Sequence, residues 1–114
     1  MRKLIFMAAV LLLIAACAQP PYLYYGKSSH SYYKAVKKQD ELSVAQYKAS
    51  LEQVFSRSDA LGIKVPPGLY CDYAMLLLKE NRMEEAKAYF AKEKQNWQEA
   101  GVMVDFLAKR YGLD

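Results

Sequence analysis

From Asp40 to Leu61 the chain sets Val44, Tyr47, Leu51, Val54, Phe55, Ser58 and Leu61 at steps of three and four residues, which places them on one helical face. Lys48, Glu52 and Arg57 fall away from that stripe, toward solvent. Gly62 follows, a residue suited to the left-handed conformation that ends a helix. The apolar face of such a helix is buried against the rest of the chain.

The remaining segments fit that demand. Val65-Pro66-Pro67-Gly68 is sharp punctuation: Pro66 holds Val65 extended, and Pro67 suits the first turn of a helix running from about Pro67 to Glu80. Leu69, Tyr70, Tyr73, Ala74, Leu77 and Leu78 form its apolar set. Asn81-Arg82 makes a corner, and a helix from about Met83 to Asn96 carries Met83, Ala86, Tyr89, Phe90 and then Trp97 along its buried side. Glu84 and Glu85 in its first turn, with Lys92 and Lys94 near its end, complement the helix dipole. A last helix from about Gln98 to Tyr111 draws on Val102, Met103, Phe106, Leu107 and Arg110. Upstream, Ser28-Ser29 can cap a short helix from about Ser31 to Lys38 that packs through Tyr32, Tyr33 and Val36. No segment alternates as a strand must. The expected fold is therefore all-α, with four to five helices in antiparallel hairpins joined by short turns.

The N-terminus has a different logic. Arg2 and Lys3 precede an apolar run from Leu4 to Ile14, which ends in Ala15-Ala16-Cys17. A cationic start, an apolar centre too short for a bilayer span of ~20 residues, and small residues before a cysteine describe a secretory signal. The ending resembles the lipobox of bacterial lipoproteins, with Ile14 where leucine is commonest. That resemblance implies removal of residues 1–16 and attachment of a diacylglyceryl group to Cys17. Ala18 follows the cysteine, where an aspartate would resemble an inner-membrane retention signal; this implies the outer membrane, on its periplasmic face. The alternatives are a secreted protein whose cysteine pairs in a disulfide, or a short membrane anchor. Each buried methylene contributes ~0.8 kcal/mol, so two or three acyl chains tether firmly where one does not. The expected organisation is a signal at 1–16, a lipidated N-terminus and tether at 17–28 stiffened by Pro20-Pro21, and a helical domain at 29–114.

Arg2 and Lys3 leave with the signal, so the sixteen basic residues become fourteen against twelve acidic ones, a formal charge of +2. The longest basic run is Lys37-Lys38, which argues against nucleic acid as a partner. Ten tyrosines are many for this length, and Tyr22, Tyr24, Tyr25, Tyr32 and Tyr33 crowd the first segment of the mature chain. They fit either a segment wrapped over the helical body or an exposed adhesive strip. Cys71, flanked by Tyr70 and Tyr73, has no second mature cysteine to pair with once Cys17 carries lipid, and is expected to be buried.

Tyr73-Ala74, Leu77, Asn81, Ala86 and Phe90 stand at spacings that resemble a tetratricopeptide repeat. Ala74 and Ala86 would let two helices approach, Leu77 and Phe90 would fill the wedge beside them, and Asn81 tolerates the left-handed turn. The repeat's tryptophan and closing proline are absent, and the flanking helices would act as half-repeat caps. The order of lipobox, Tyr24-Tyr25-Gly26, long amphipathic helix, Val65-Pro66-Pro67-Gly68-Leu69-Tyr70 and Glu85-Ala86-x-x-Tyr89-Phe90-x-x-Glu93 resembles a family of small, uncharacterised proteobacterial lipoproteins. The resemblance implies a tetratricopeptide-like domain and a genetic neighbourhood shared with lipoproteins similar to CsgG, the secretion pore of curli. Tyr25 stands where that family commonly has tryptophan.

Catalytic chemistry finds few candidates. His30 is the single histidine and sits in a polar stretch that fits solvation. Neither it nor Cys71 has the company a metal site requires, and no glycine-rich phosphate loop exists. Glu84 and Glu85 point about 100° apart on a helix, which suits a helix start better than a carboxylate pair. The expectation is a binding protein without catalytic residues or cofactor: a membrane-anchored adaptor for other envelope proteins, among them a CsgG-like lipoprotein on the family resemblance. Contact residues are expected at Tyr70, Tyr73 and Lys79, on the first helix of the repeat-like hairpin, and at Tyr24 and Tyr25. A lipoprotein that stacks glycans or small molecules on its tyrosines, and a passive envelope-stabilising lipoprotein, are the alternatives.

Overall fold

The computed structural model describes residues 1–16 and 22–113. Cys17 and Pro20-Pro21 lie outside the described residues. Among those described there is no strand, and the helices are α1 (Arg2–Ala16), α2 (Ser28–Lys38), α3 (Glu41–Leu61), α4 (Leu69–Lys79), α5 (Met83–Asn96) and α6 (Gly101–Arg110), with a short 3₁₀ helix, Gln98–Ala100, leading into α6. The fold is all-α. α2 packs on α3, α4 packs on α5, and α6 closes on α5. Among the described residues no helix is long and apolar enough to cross a membrane, and the apolar side chains of α1 from Leu4 to Ile14 stand exposed.

α3 begins where Asp40 accepts the Ser43 N–H at 2.7 Å, and the Ser43 hydroxyl and amide together lower the Asp40 pKa. It ends at Gly62, whose φ of 65° lets the chain turn away while Ile63 N–H bonds back to the Ser58 carbonyl. Tyr47, Leu51, Val54 and Ser58 of the expected stripe are buried. Tyr47 and Leu51 meet Tyr73, Ala74 and Leu77 of α4, and Ala86 and Phe90 of α5, in one core. Asn81 turns the α4–α5 corner at φ 60°.

Several expectations need correction. α2 starts at Ser28, which is a helical residue and not a cap; its hydroxyl donates to the Tyr25 carbonyl at 2.6 Å. Tyr32, Tyr33 and Val36 are mostly exposed, because α2 docks through Ala35 and one edge of Tyr32 against Tyr47. Lys48 is not free in solvent but is drawn to Glu80 at 2.7 Å. α3 is no lone half-repeat cap, since α2 completes a hairpin with it. Met83 is exposed at the start of α5. Pro67 belongs to the turn before α4, because Gly68 at φ 90° breaks the helical path there. Trp97 leaves α5 in extended conformation, and α6 buries Val104, a residue the spacing did not single out, while Val102, Met103 and Phe106 stand exposed.

The connection from α3 to α4 is held down from a distance. Glu93, fully buried on α5, accepts the Gly68 N–H at 2.6 Å. Gly68 has no side chain with which to cap α4, so a carboxylate from another helix takes that role. Beside it the Trp97 indole N–H donates to the Val65 carbonyl at 2.9 Å, and the Lys64 ammonium donates to the Asn96 carbonyl at 3.1 Å while lying over the Trp97 ring. Three bonds thus pin the loop to the last turn of α5.

Burial raises the Glu93 pKa above its ordinary 4.5, against the opposing pull of the Gly68, Tyr70 and Cys71 amides. Burial raises Asp72 too, against the lowering effect of its bond from Tyr47. A carboxyl raised in the fold binds its proton more tightly there than in the unfolded chain, so stability is greatest at low pH and declines as pH climbs through the folded value. Glu80 and Glu85 shift the other way, under hydrogen bonds from Lys48 and Arg82, and act below the ordinary carboxylate range. Melting temperature should therefore fall as pH rises from about 4.5 toward neutral. Glu93→Gln keeps an acceptor for Gly68 and should flatten that slope. Glu93→Ala strands the Gly68 amide and should cost about 1–3 kcal/mol in urea unfolding. An unchanged slope in Glu93→Gln would assign the pH dependence elsewhere.

Candidate protein-binding groove

Packing of the partly buried Ala35 on the core and exposure of its neighbours leave one side of α2 facing the C-terminal half of α4 across a gap. Tyr32 and Val36 of α2, Gln39 just past its end, Val44 and Tyr47 of α3, and Leu76 and Lys79 of α4 line a cavity of about 380 Å³. Gln39, Val44, Leu76 and Lys79 also border a cavity of about 630 Å³ that continues over Ala45, Lys48, Ala49 and Glu52. The two make one groove with an apolar floor and a charged rim.

The wall is set by directional bonds. Tyr47 donates its hydroxyl to Asp72 at 2.6 Å, and its ring meets Tyr32 with centroids 5.4 Å apart. That bond and burial both push the Tyr47 phenol upward, so it stays a neutral donor. Glu80 takes Lys48 at 2.7 Å and Arg82 at 3.0 Å, and Arg82 also grips Glu85. These exposed pairs fix rim geometry more than they stabilise the fold. Lys79 makes no ion pair among the described residues, which leaves its charge free at the groove edge.

The candidate contact residues do not gather in one place. Lys79 borders the groove, whereas Tyr70, nine residues earlier on α4, lies on the opposite side of that helix. There Tyr70 joins Phe55, Tyr73 and Tyr89 in a cluster with centroid spacings of 4.7 Å for Phe55–Tyr70 and 4.5 Å for Tyr73–Tyr89, and Lys92 sits 4.5 Å from the Tyr89 centroid. Tyr73 is buried and donates its hydroxyl to Glu52 at 2.8 Å. Tyr24 and Tyr25 precede α2; Tyr25 is exposed, and its carbonyl anchors Ser28. Cys17 is outside the described residues. Tyr32, Val36 and Leu76 were missed as groove residues, although Tyr32 and Val36 share one face of α2 at helical spacing.

Cys71 is buried and free, its thiol pushed up to about 12 by burial and by the neighbouring Glu93 and Asp72. His30 is exposed beside a shallow depression next to Lys27 and Lys34. Among the described residues no group of three or more His, Cys, Asp and Glu side chains could hold a metal ion.

The fold is thus a stack of antiparallel helical hairpins with a lateral groove. Residues 22–107, which run from the segment before α2 into α6, match the family described as a domain of unknown function, DUF4810, and the chain belongs to that family. No curated protein matches it, and no solved structure does.

In the folded protein at neutral pH, Cys71 should resist a maleimide and react only once urea opens the core, as read by mass spectrometry of its peptide. Rapid labelling without denaturant would contradict its burial.

Proposed function

We propose that the chain is a lipid-anchored envelope adaptor that seats an amphipathic segment of another envelope protein in the groove between α2, α3 and α4. The observation that carries this reading is the groove itself, with Tyr32 and Val36 each 52% exposed over an apolar floor and Lys79 unpaired at the edge. Folded monomers rarely leave such side chains uncovered beside one another without use. Helix-in-groove recognition uses this combination, apolar anchors for affinity and rim charges for register. The tetratricopeptide-like spacing supports the same reading, since such hairpins commonly present concave binding faces. The mixed rim, Lys79 facing Asp40 and Glu41, favours a partner segment that carries both signs of charge.

Anchoring rests on the run from Arg2 to Cys17, with its lipobox-like ending, and the address on Ala18 after the cysteine. On the family resemblance the partner is a CsgG-like outer-membrane lipoprotein or a small accessory lipoprotein beside it.

Crosslinking in native membranes, then solubilisation in mild detergent, should recover one envelope protein with the wild-type chain. Val36→Asp and Lys79→Glu, both at exposed positions, should keep the helical circular dichroism and reduce that recovery by about tenfold. Equal recovery with both variants would remove the groove from the interaction. Mass spectrometry of the processed chain should find acyl groups on Cys17; an unmodified cysteine would end the anchoring proposal.

A further inference from the structure

α6 is apolar on two opposite faces. Val104 and Ala108 turn into the core, while Val102 and Phe106 on the far side are 85% and 61% exposed. A surface helix ordinarily turns polar residues to solvent on the face away from the core, and here Val102 and Phe106 occupy part of that face without cover. Residues 102, 106 and 109 of α6, with residue 99 in the 3₁₀ turn that leads into it, are separated by three, four and three, close to the spacing of a coiled-coil seam, and they read Glu99, Val102, Phe106, Lys109. Glu99 and Lys109 are exposed, and neither makes an ion pair among the described residues.

This seam is complementary to its own reverse. Laid antiparallel on a second copy about an axis near Val104, Glu99 meets Lys109, Val102 meets Phe106, and each contact occurs twice. A parallel arrangement would set Glu99 on Glu99 and Lys109 on Lys109, which repels at both ends. Antiparallel packing also opposes the two helix dipoles favourably. We infer that the exposed face of α6 is a self-association surface, on which two copies of this chain pack α6 against α6 antiparallel as an isologous dimer. The surface is independent of the groove, so either can fail alone. A two-turn seam is smaller than the ~800 Å² per partner of a standard interface, so the dimer is concentration-dependent.

Sedimentation equilibrium of the full chain in mild detergent tests this. The wild type should pass from monomer to dimer as its concentration rises. Phe106→Ala should weaken the dimer about a hundredfold, because both copies lose an anchor. Glu99→Lys and Lys109→Glu should each weaken it about tenfold by setting like charges together. An equimolar mixture of those two variants should restore association, since every charge again meets its opposite. All three positions are exposed, and unchanged thermal unfolding would confirm intact folds. A monomer at every concentration, a dimer indifferent to the charge changes, or a mixture no better than its components would overturn the proposal. A monomer that binds anionic vesicles through Val102 and Phe106 would overturn it in favour of a lipid-facing helix.

Discussion

The buried carboxylate of Glu93 under the first turn of α4 is the constraint on which the arrangement of the two hairpins depends. α4 starts from a glycine in a left-handed conformation, after two prolines that cannot donate backbone hydrogen bonds. Such a start leaves amides open, and only a group from elsewhere can satisfy them. By supplying that group, α5 fixes where α4 begins and ties the loop from α3 to its own end. Val65-Pro66-Pro67-Gly68 and Glu93, two blocks of the family resemblance, thereby meet in space. Their role is architectural: they hold one hairpin on the next.

The contact between α3 and α4 is unusually polar for a core seam. Tyr47 reaches Asp72, Tyr73 reaches Glu52, and Lys48 reaches Glu80, so bonds run in both directions between the two helices. Directional bonds of this kind fix register more than they add stability. They set the spacing of α2 and α4 and hence the width of the groove. Tyr73, expected as a contact residue, is consumed in this seam, and exposure passes to α2 and α6.

Periodicity made α3 and α5 legible nearly to the residue, because both are amphipathic and both end at clear signals. Burial of Cys71 and the turn at Asn81 followed from local chemistry. The misses share a physical cause. α2 and α6 carry apolar residues on more than one face, so a stripe read from spacing alone could not say which face packs. On α6 the choice fell to Val104, while Val102 and the larger Met103 and Phe106 were left outside. Capping of α4 by Glu93 is a contact across 25 residues, invisible to any local pattern. Groove residues were partly missed for the same reason: a wall built from three helices has no signature in one segment.

Trp97 gives the loop clasp an optical consequence. It is the single tryptophan of the chain, bonded through its indole N–H to Val65 and covered by the Lys64 ammonium 5.0 Å from the ring centroid. Its emission therefore senses one joint of the molecule, the seat of the inter-hairpin loop, with no contribution from elsewhere. Loosening of that joint would shift the fluorescence before the helices themselves melt, which makes the intact chain its own spectroscopic gauge of hairpin stacking.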